Sequence, residues 1–256
     1  MESTIVNRLF SQRLLLLGLS FIFIILASAG LKHVKFDGST EFFFGKQHPD
    51  MLQWKAFTDT YGSANRALLM IQSKDGEAII ENKSILTTLE ATTSKLALIP
   101  HIVRVESLSN YQHSWSEEDV LFVEPLIENA KDLNAEQIQS IKQIALTDPA
   151  LTKRLVSENG DTLVIVMTGA FNEEIGNVEL QKLAVTQQLY KIRDEIRTAL
   201  PNLNVYANGN IVGNAVTMQI AMEDIKLYIP LMYLIIYGLL AFLLRSILSM
   251  LTIAVT

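Results

Sequence analysis

The side chains of this 256-residue chain best suited by type to hold a metal or relay a proton are His33, His48, His101 and His113. None stands four residues from another, so no helix presents two imidazoles on one face and no histidine metal centre is expected. The densest group of carboxylates, Glu117-Glu118-Asp119, has the hard oxygens a divalent cation takes. A run of acids is ordinarily a hydrated surface, however, and it is read so here. The chain has no cysteine, which removes disulfides, thiolate nucleophiles and Cys-ligated zinc or iron–sulfur centres together. No G-x-S-x-G elbow occurs. The G-x-x-x-G of Gly209 to Gly213 is followed by no Lys-Ser or Lys-Thr and reads as a helix start with close packing, not a phosphate cradle. No catalytic residue, metal or cofactor is assigned, and an enzyme is not expected.

Bulk properties narrow the remaining classes. A formal charge of −6, with Lys and Arg unclustered, offers no basic face to a nucleic acid. The hydrophobic content of 49% and mean hydropathy of +0.26 are high for a purely soluble protein, and the excess sits at the two ends of the chain. Leu14 to Leu31 carries no ionisable residue, and its about 18 residues come close to the ~30 Å of a bilayer's hydrocarbon layer. Arg8 and Arg13 precede it and act as topology anchors, holding residues 1–13 in the cytoplasm and sending Lys32 across the membrane. The run also ends in Ala27-Ser28-Ala29, the form of a cleavable signal, although it exceeds the usual core of about 7–15 residues. Either reading exports the chain from Lys32 onward.

Leu227 to Leu244 is a second uncharged run, with Tyr228, Tyr233 and Tyr237 as interfacial anchors and Pro230 near its start, where a bend is tolerated. Arg245 is the third topology anchor; after Arg245-Ser246, residues 247–256 resume as apolar sequence and read as the start of a third membrane helix. The chain is therefore expected to be one portion of a longer polypeptide.

Between the membrane runs, residues 32–226 are of ordinary size for one domain or two small lobes. Ala67 to Ser73 reads as a buried strand closed by Asp75-Gly76; Asn82 caps a helix carrying Ile85, Leu89, Leu96 and Ile99; His101 to Ser107 alternates as a strand with Val103, Val105 and Ser107 on one face. The unit recurs. Asn159-Gly160 offers a tight turn into Thr162 to Thr168, a helix over Asn177 to Leu200 comes next with Val185, Leu189, Ile192, Ile196 and Ala199 on one side, and Leu203 to Gly209 supplies a strand. Asn134 caps a shorter helix with Ile138, Ile141 and Ala145, while Asn110 to Asp132, including Trp115, reads as a polar and aromatic connection. Two β-α-β lobes, approximately 65–110 and 150–210, predict an α+β fold of ferredoxin-like type flanked by transmembrane helices. Gly209 to Lys226 reads as helix running on into the second membrane run, a rigid link from domain to bilayer.

Three segments carry a family resemblance: Val105 to Asn110 (VESLSN), Leu155 to Met167 (LVSENGDTLVIVM), and the passage from Gly209 through Glu223-Asp224 into Leu239 to Val255. With them the chain resembles the RND superfamily, in its MMPL-like branch related to hopanoid exporters and Patched-type proteins. Leu244 and Met250 depart from the aromatic and the proline frequent there. The resemblance implies a periplasmic porter domain over 32–226, an inner-membrane location, and proton-driven export of lipophilic or amphipathic molecules. It implies as partners membrane lipid, further transporter helices, a second porter domain and a homo-oligomer. It also places the proton relay in later helices, since neither uncharged run holds an ionisable residue, so the chain by itself is not expected to transport. Phe42-Phe43-Phe44, Met218 and Met222 are apolar side chains of the kind that line a greasy path but more commonly form core; the substrate-binding residues stay unassigned. A two-helix receptor with an exported sensing domain is the alternative, and it requires charged, heptad-patterned sequence after the second helix, where Ile247 to Val255 is apolar.

Overall fold

The computed structural model describes Ile22, Gly45 and residues 47–61, 65–117, 119–172 and 174–244, without the side chains of Asp59, Tyr61, Leu240, Ala241, Leu243 and Leu244. Apart from Ile22, the segments read as cytoplasmic N-terminus (1–13), first membrane run (14–31) and third helix (247–256) lie outside the described residues. The chain divides into two units: Asp37–Gln219, and a second holding the described residues from Ile220 to Leu244.

In the first unit the apolar run read as a buried strand over Ala67 to Ser73 becomes β1 (Arg66–Ser73), in which Ala67, Leu69 and Ile71 are fully buried. After α1 (Pro49–Tyr61) and β1, Asn82 starts α2 (Lys83–Ala97) by accepting from the backbone N–H of Ser84 and Ile85, at 2.9 and 3.3 Å, which satisfies two of the orphan donors of the first turn. Ile85, Leu86, Leu89 and Leu96 form its buried stripe. β2 (Ile102–Glu106) returns along the sheet edge. Its register against the next strand slips between Ile102 and Arg104. That bulge turns Val103 outward, 66% exposed, where simple alternation placed it inside.

The region read as a connection holds a hairpin instead, β3 (Gln112–Glu117) and β4 (Val120–Pro125), with Trp115 opposite Phe122. Its turn includes Asp119 at φ +66°, so of the acidic run Glu117 ends β3 and Asp119 lies at a hairpin tip. Helix α3 (Ala135–Thr147) opens with a reciprocal capping box between Asn134 and Gln137 and buries Ile138, Ile141 and Ala145. The turn before β5 (Thr162–Gly169) needs Gly160, whose φ is +70° and where an added Cβ would stand 2.9 Å from Ile80 Cγ2. Asn177 caps α4 (Val178–Ala199), and β6 (Leu203–Asn208) comes after it. Ala199, expected inside, is exposed.

The strands of both β-α-β passes share one antiparallel sheet in the order β2-β5-β1-β6, the order of the split β-α-β fold called ferredoxin-like. The passes interleave: Leu69 of β1 lies between Ile165 of β5 and Ala207 of β6. Leu69, Ile71, Leu86, Leu89, Leu163, Ile165, Met167 and Leu189 are all fully buried in one core, each contributing roughly 2 kcal/mol by removal from water. On the other sheet face Leu68, Met70 and Val164 are only half-buried.

α5 (Asn210–Leu244) begins at Gly209, whose φ of +106° lets the backbone pass so close to β1 that a Cβ would fall 2.4 Å from the Arg66 carbonyl oxygen. The Asn210 side chain then accepts from the Arg66 N–H at 2.7 Å. Ile211, Val212, Ala215 and Met218 are buried in the first unit. From Leu227 to Leu239, by contrast, Leu227, Tyr228, Ile229, Leu231, Met232, Tyr233, Leu234, Ile235, Ile236 and Leu239 are all 43–68% exposed. Among the described residues no helix is long and apolar enough to cross a membrane.

Candidate functional site

Two charged residues of β2, Arg104 and Glu106, are two positions apart and so project from the same side of the strand. The chain then turns sharply. Ser107 caps a single 3-10 turn, Leu108–Asn110, through a reciprocal box in which the Asn110 side chain accepts from the Ser107 N–H at 2.8 Å. Buried hydroxyls of Thr93, Ser107 and Ser109 tie this turn to α2, with Ser107 Oγ 2.8 Å from both Thr93 Oγ1 and Ser109 Oγ. Beyond α3, the chain brings Ala150, Arg154 and Leu155 to the same place. Together with Tyr111 and Gln112 these residues line a cavity of about 430 Å³.

The polar groups of the cavity are coupled. Glu106 Oε1 lies 2.9 Å from Arg104 Nη2, and Arg154 Nη2 lies 3.3 and 3.4 Å from the two Glu106 oxygens. The Tyr111 hydroxyl donates to Asp148 Oδ2 at 2.8 Å, while the Ala150 N–H donates to Asp148 Oδ1 at 2.8 Å. The hydrogen bond to Asp148 holds the Tyr111 phenol above its ordinary pKa, burial and the Asp148 charge add to this, and Arg154 opposes it. Such an arrangement positions and holds charge; it contains no activated nucleophile or paired acid and base.

A second polar group lies inside the fold. On α4, Lys182 Nζ pairs with Glu179 Oε1 at 2.9 Å, both side chains being under a tenth exposed. Glu179 Oε2 and Thr186 Oγ1 are buried and find no hydrogen-bond partner among the described residues.

The residues singled out from sequence are dispersed. Arg8, Arg13 and Arg245, with His33 and Phe42-Phe43-Phe44, lie outside the described residues. His48 stands beside Asp50 at the start of α1 (Pro49–Tyr61), His101 stacks on Phe171 at 5.9 Å, and His113 stacks on Trp115 at 5.7 Å. Among the described residues no group of three or more His, Cys, Asp or Glu is placed to hold a metal. Met218 is core and Met222 is exposed. Tyr233 and Tyr237 stack at 6.0 Å on α5.

Arg104, Glu106, Tyr111 and Arg154 were not singled out. The alternating charges of β2 are visible in sequence, but nothing local connects them to Arg154, 48 residues on. The Glu179–Lys182 pair did leave a signal, polar residues on the stripe that continues into Val185 and Leu189.

No curated protein matches the chain. The MMPL family matches residues 55–256, a stretch that takes in the whole sheet, the cavity and α5. With well over half of its length matched in one run, the chain belongs to the MMPL family.

Proposed function

We propose that this chain contributes the exported α+β domain and adjoining membrane helices of an RND-type exporter that uses the proton gradient to move lipophilic or amphipathic molecules. MMPL proteins are membrane transporters rather than enzymes. One observation supports the reading above the rest: ten large side chains between Leu227 and Leu239 are exposed on every side of one helix. A helix apolar all round needs an apolar surrounding, and monomers in water do not leave patches of that extent uncovered. At about 1 kcal/mol for each half-exposed side chain, transfer into lipid contributes on the order of 10 kcal/mol.

On this reading Leu14–Leu31 and Leu227–Leu244 cross the cytoplasmic membrane, residues 32–226 lie in the periplasm, and the proton path uses residues outside these two uncharged runs. The family match continues through residue 256, across the segment where a two-helix receptor requires charged heptads. The test compares lipid extracts of the outer membrane and medium from parent cells and from cells lacking the gene, by mass spectrometry. Loss of one or a few lipophilic species on deletion, reproduced in parent cells by a proton uncoupler, is expected. Unchanged extracts contradict the reading.

A further inference from the structure

We propose that the cavity lined by Arg104, Glu106, Tyr111 and Arg154 is an oxyanion site, accepting the phosphate or carboxylate head of an amphiphile or the free anion of the same chemistry. Its connection to transported material rests on the export reading above; the anion site itself does not.

The charge balance is the first ground. Among the charged side chains that line the cavity, Arg104 and Arg154 face the single carboxylate of Glu106, a surplus of one positive charge. Asp148 lies outside the lining, behind the Tyr111 hydroxyl and the Ala150 N–H that bind it; it keeps its negative charge, so the surplus belongs to the lining side chains alone. The second ground is donor capacity. A guanidinium carries five N–H donors in a fixed fork, and Glu106 engages one terminal nitrogen of each arginine. The arginine side chains are 70% and 55% exposed while that of Glu106 is 20% exposed, so the carboxylate sits inside and the forks reach outward. An oxyanion takes paired donors of this kind in a bidentate manner. The third ground is room. At about 430 Å³ the cavity falls within the ~300–1,000 Å³ of small-molecule sites.

The hairpin supplies a path for a tail. Gln112 lines the cavity and shares a hairpin face with Ser114 and Ser116 and, across the ladder, with Val123 and Leu121. Val123 and Leu121 are 53% and 68% exposed. An acyl chain leaving the cavity past Gln112 meets these apolar side chains next.

The test is calorimetric titration of the purified full chain in dodecyl maltoside micelles with sodium phosphate, with dodecyl phosphate, and with dodecyltrimethylammonium as the cationic control. Saturable binding of an anion and none of the cation is expected. Arg104→Gln and Arg154→Gln should each weaken anion binding at least tenfold, whereas Glu106→Gln, which frees both forks, should tighten it; circular dichroism checks that each variant stays folded. Equal affinity for the two phosphates identifies the free anion as ligand. Tighter binding of dodecyl phosphate, abolished by Leu121→Ser with Val123→Ser, identifies the amphiphile head. The proposal is overturned if neither phosphate binds, if binding survives both folded arginine variants, or if folded Glu106→Gln weakens it. Failure here leaves the lipid-extract comparison untouched, because that experiment reads the whole gene and not the cavity.

Discussion

Glu179 and Lys182 pair inside the protein, at 6% and 8% side-chain exposure. Withdrawing two ions from water is offset only by their mutual attraction and by hydrogen bonds, and here Glu179 Oε2 has no partner among the described residues. Lys182→Met keeps the bulk of the stem but leaves a buried lone carboxylate, and is expected to destabilise the fold by about 3 kcal/mol. Combining it with Glu179→Leu should restore most of that loss. Thermal unfolding of the solubilised chain checks both; a double variant no more stable than the single one contradicts the account. Asp161 illustrates the opposite case. Hydrogen bonds from Ser157 and Thr162 hold its carboxyl below the ordinary range. A folded pKa below the unfolded value of about 3.9 means a contribution present above that pH and lost as the pH falls through the folded pKa. Asp161→Asn cannot titrate, so its stability should fall less than the parent's between about pH 5 and pH 2; equal losses in acid titrations would remove Asp161 from the explanation. At this scale the helix starts were legible, because Asn82, Asn134 and Asn177 cap by local rules that sequence displays. The cavity was not, since Arg154 meets Glu106 only after the sheet has formed.

Helix periods, and apolar runs bounded by turn signals, identify elements, and α2, α4, β1 and β5 were readable on that basis. Partners are another matter. An apolar run closed by a turn says that β1 is a buried strand, but it does not say that β5 separates β1 from β2. The hairpin β3–β4 escaped because Val120 to Val123 is apolar throughout, without alternation, and because Asp119 of its turn is followed by Val120 and not by the glycine of an Asn-Gly or Asp-Gly pair. Val103 was misplaced because a bulge adds a residue to one strand and leaves no mark in composition. For α5 the element-level prediction concerns its uncharged half. Ile235→Lys places a charge in the apolar run, at a cost of about 3 kcal/mol near the middle of a bilayer. The variant is expected to shift from the membrane fraction toward the alkali-extractable fraction. A distribution identical to the parent's would show that this half of α5 does not rest in lipid.

At the scale of the whole molecule, composition put the hydrophobic excess at the two ends, and a ferredoxin-like sheet with a capped, fully buried core occupies the interval between them. Energetics separates the two: the core is covered by its own helices, whereas the apolar side chains of α5 from Leu227 onward are exposed and need another phase. On the export reading the domain around Leu69 lies outside the cytoplasm. Because the chain has no cysteine, one engineered thiol reports its own side of the membrane without background. Glu77, exposed after β1, and Glu2 provide the two positions, tested in spheroplasts with a membrane-impermeant maleimide. Glu77→Cys should label in intact spheroplasts and Glu2→Cys only after lysis; labelling of Glu77→Cys only after lysis would place the domain inside the cell and contradict the account.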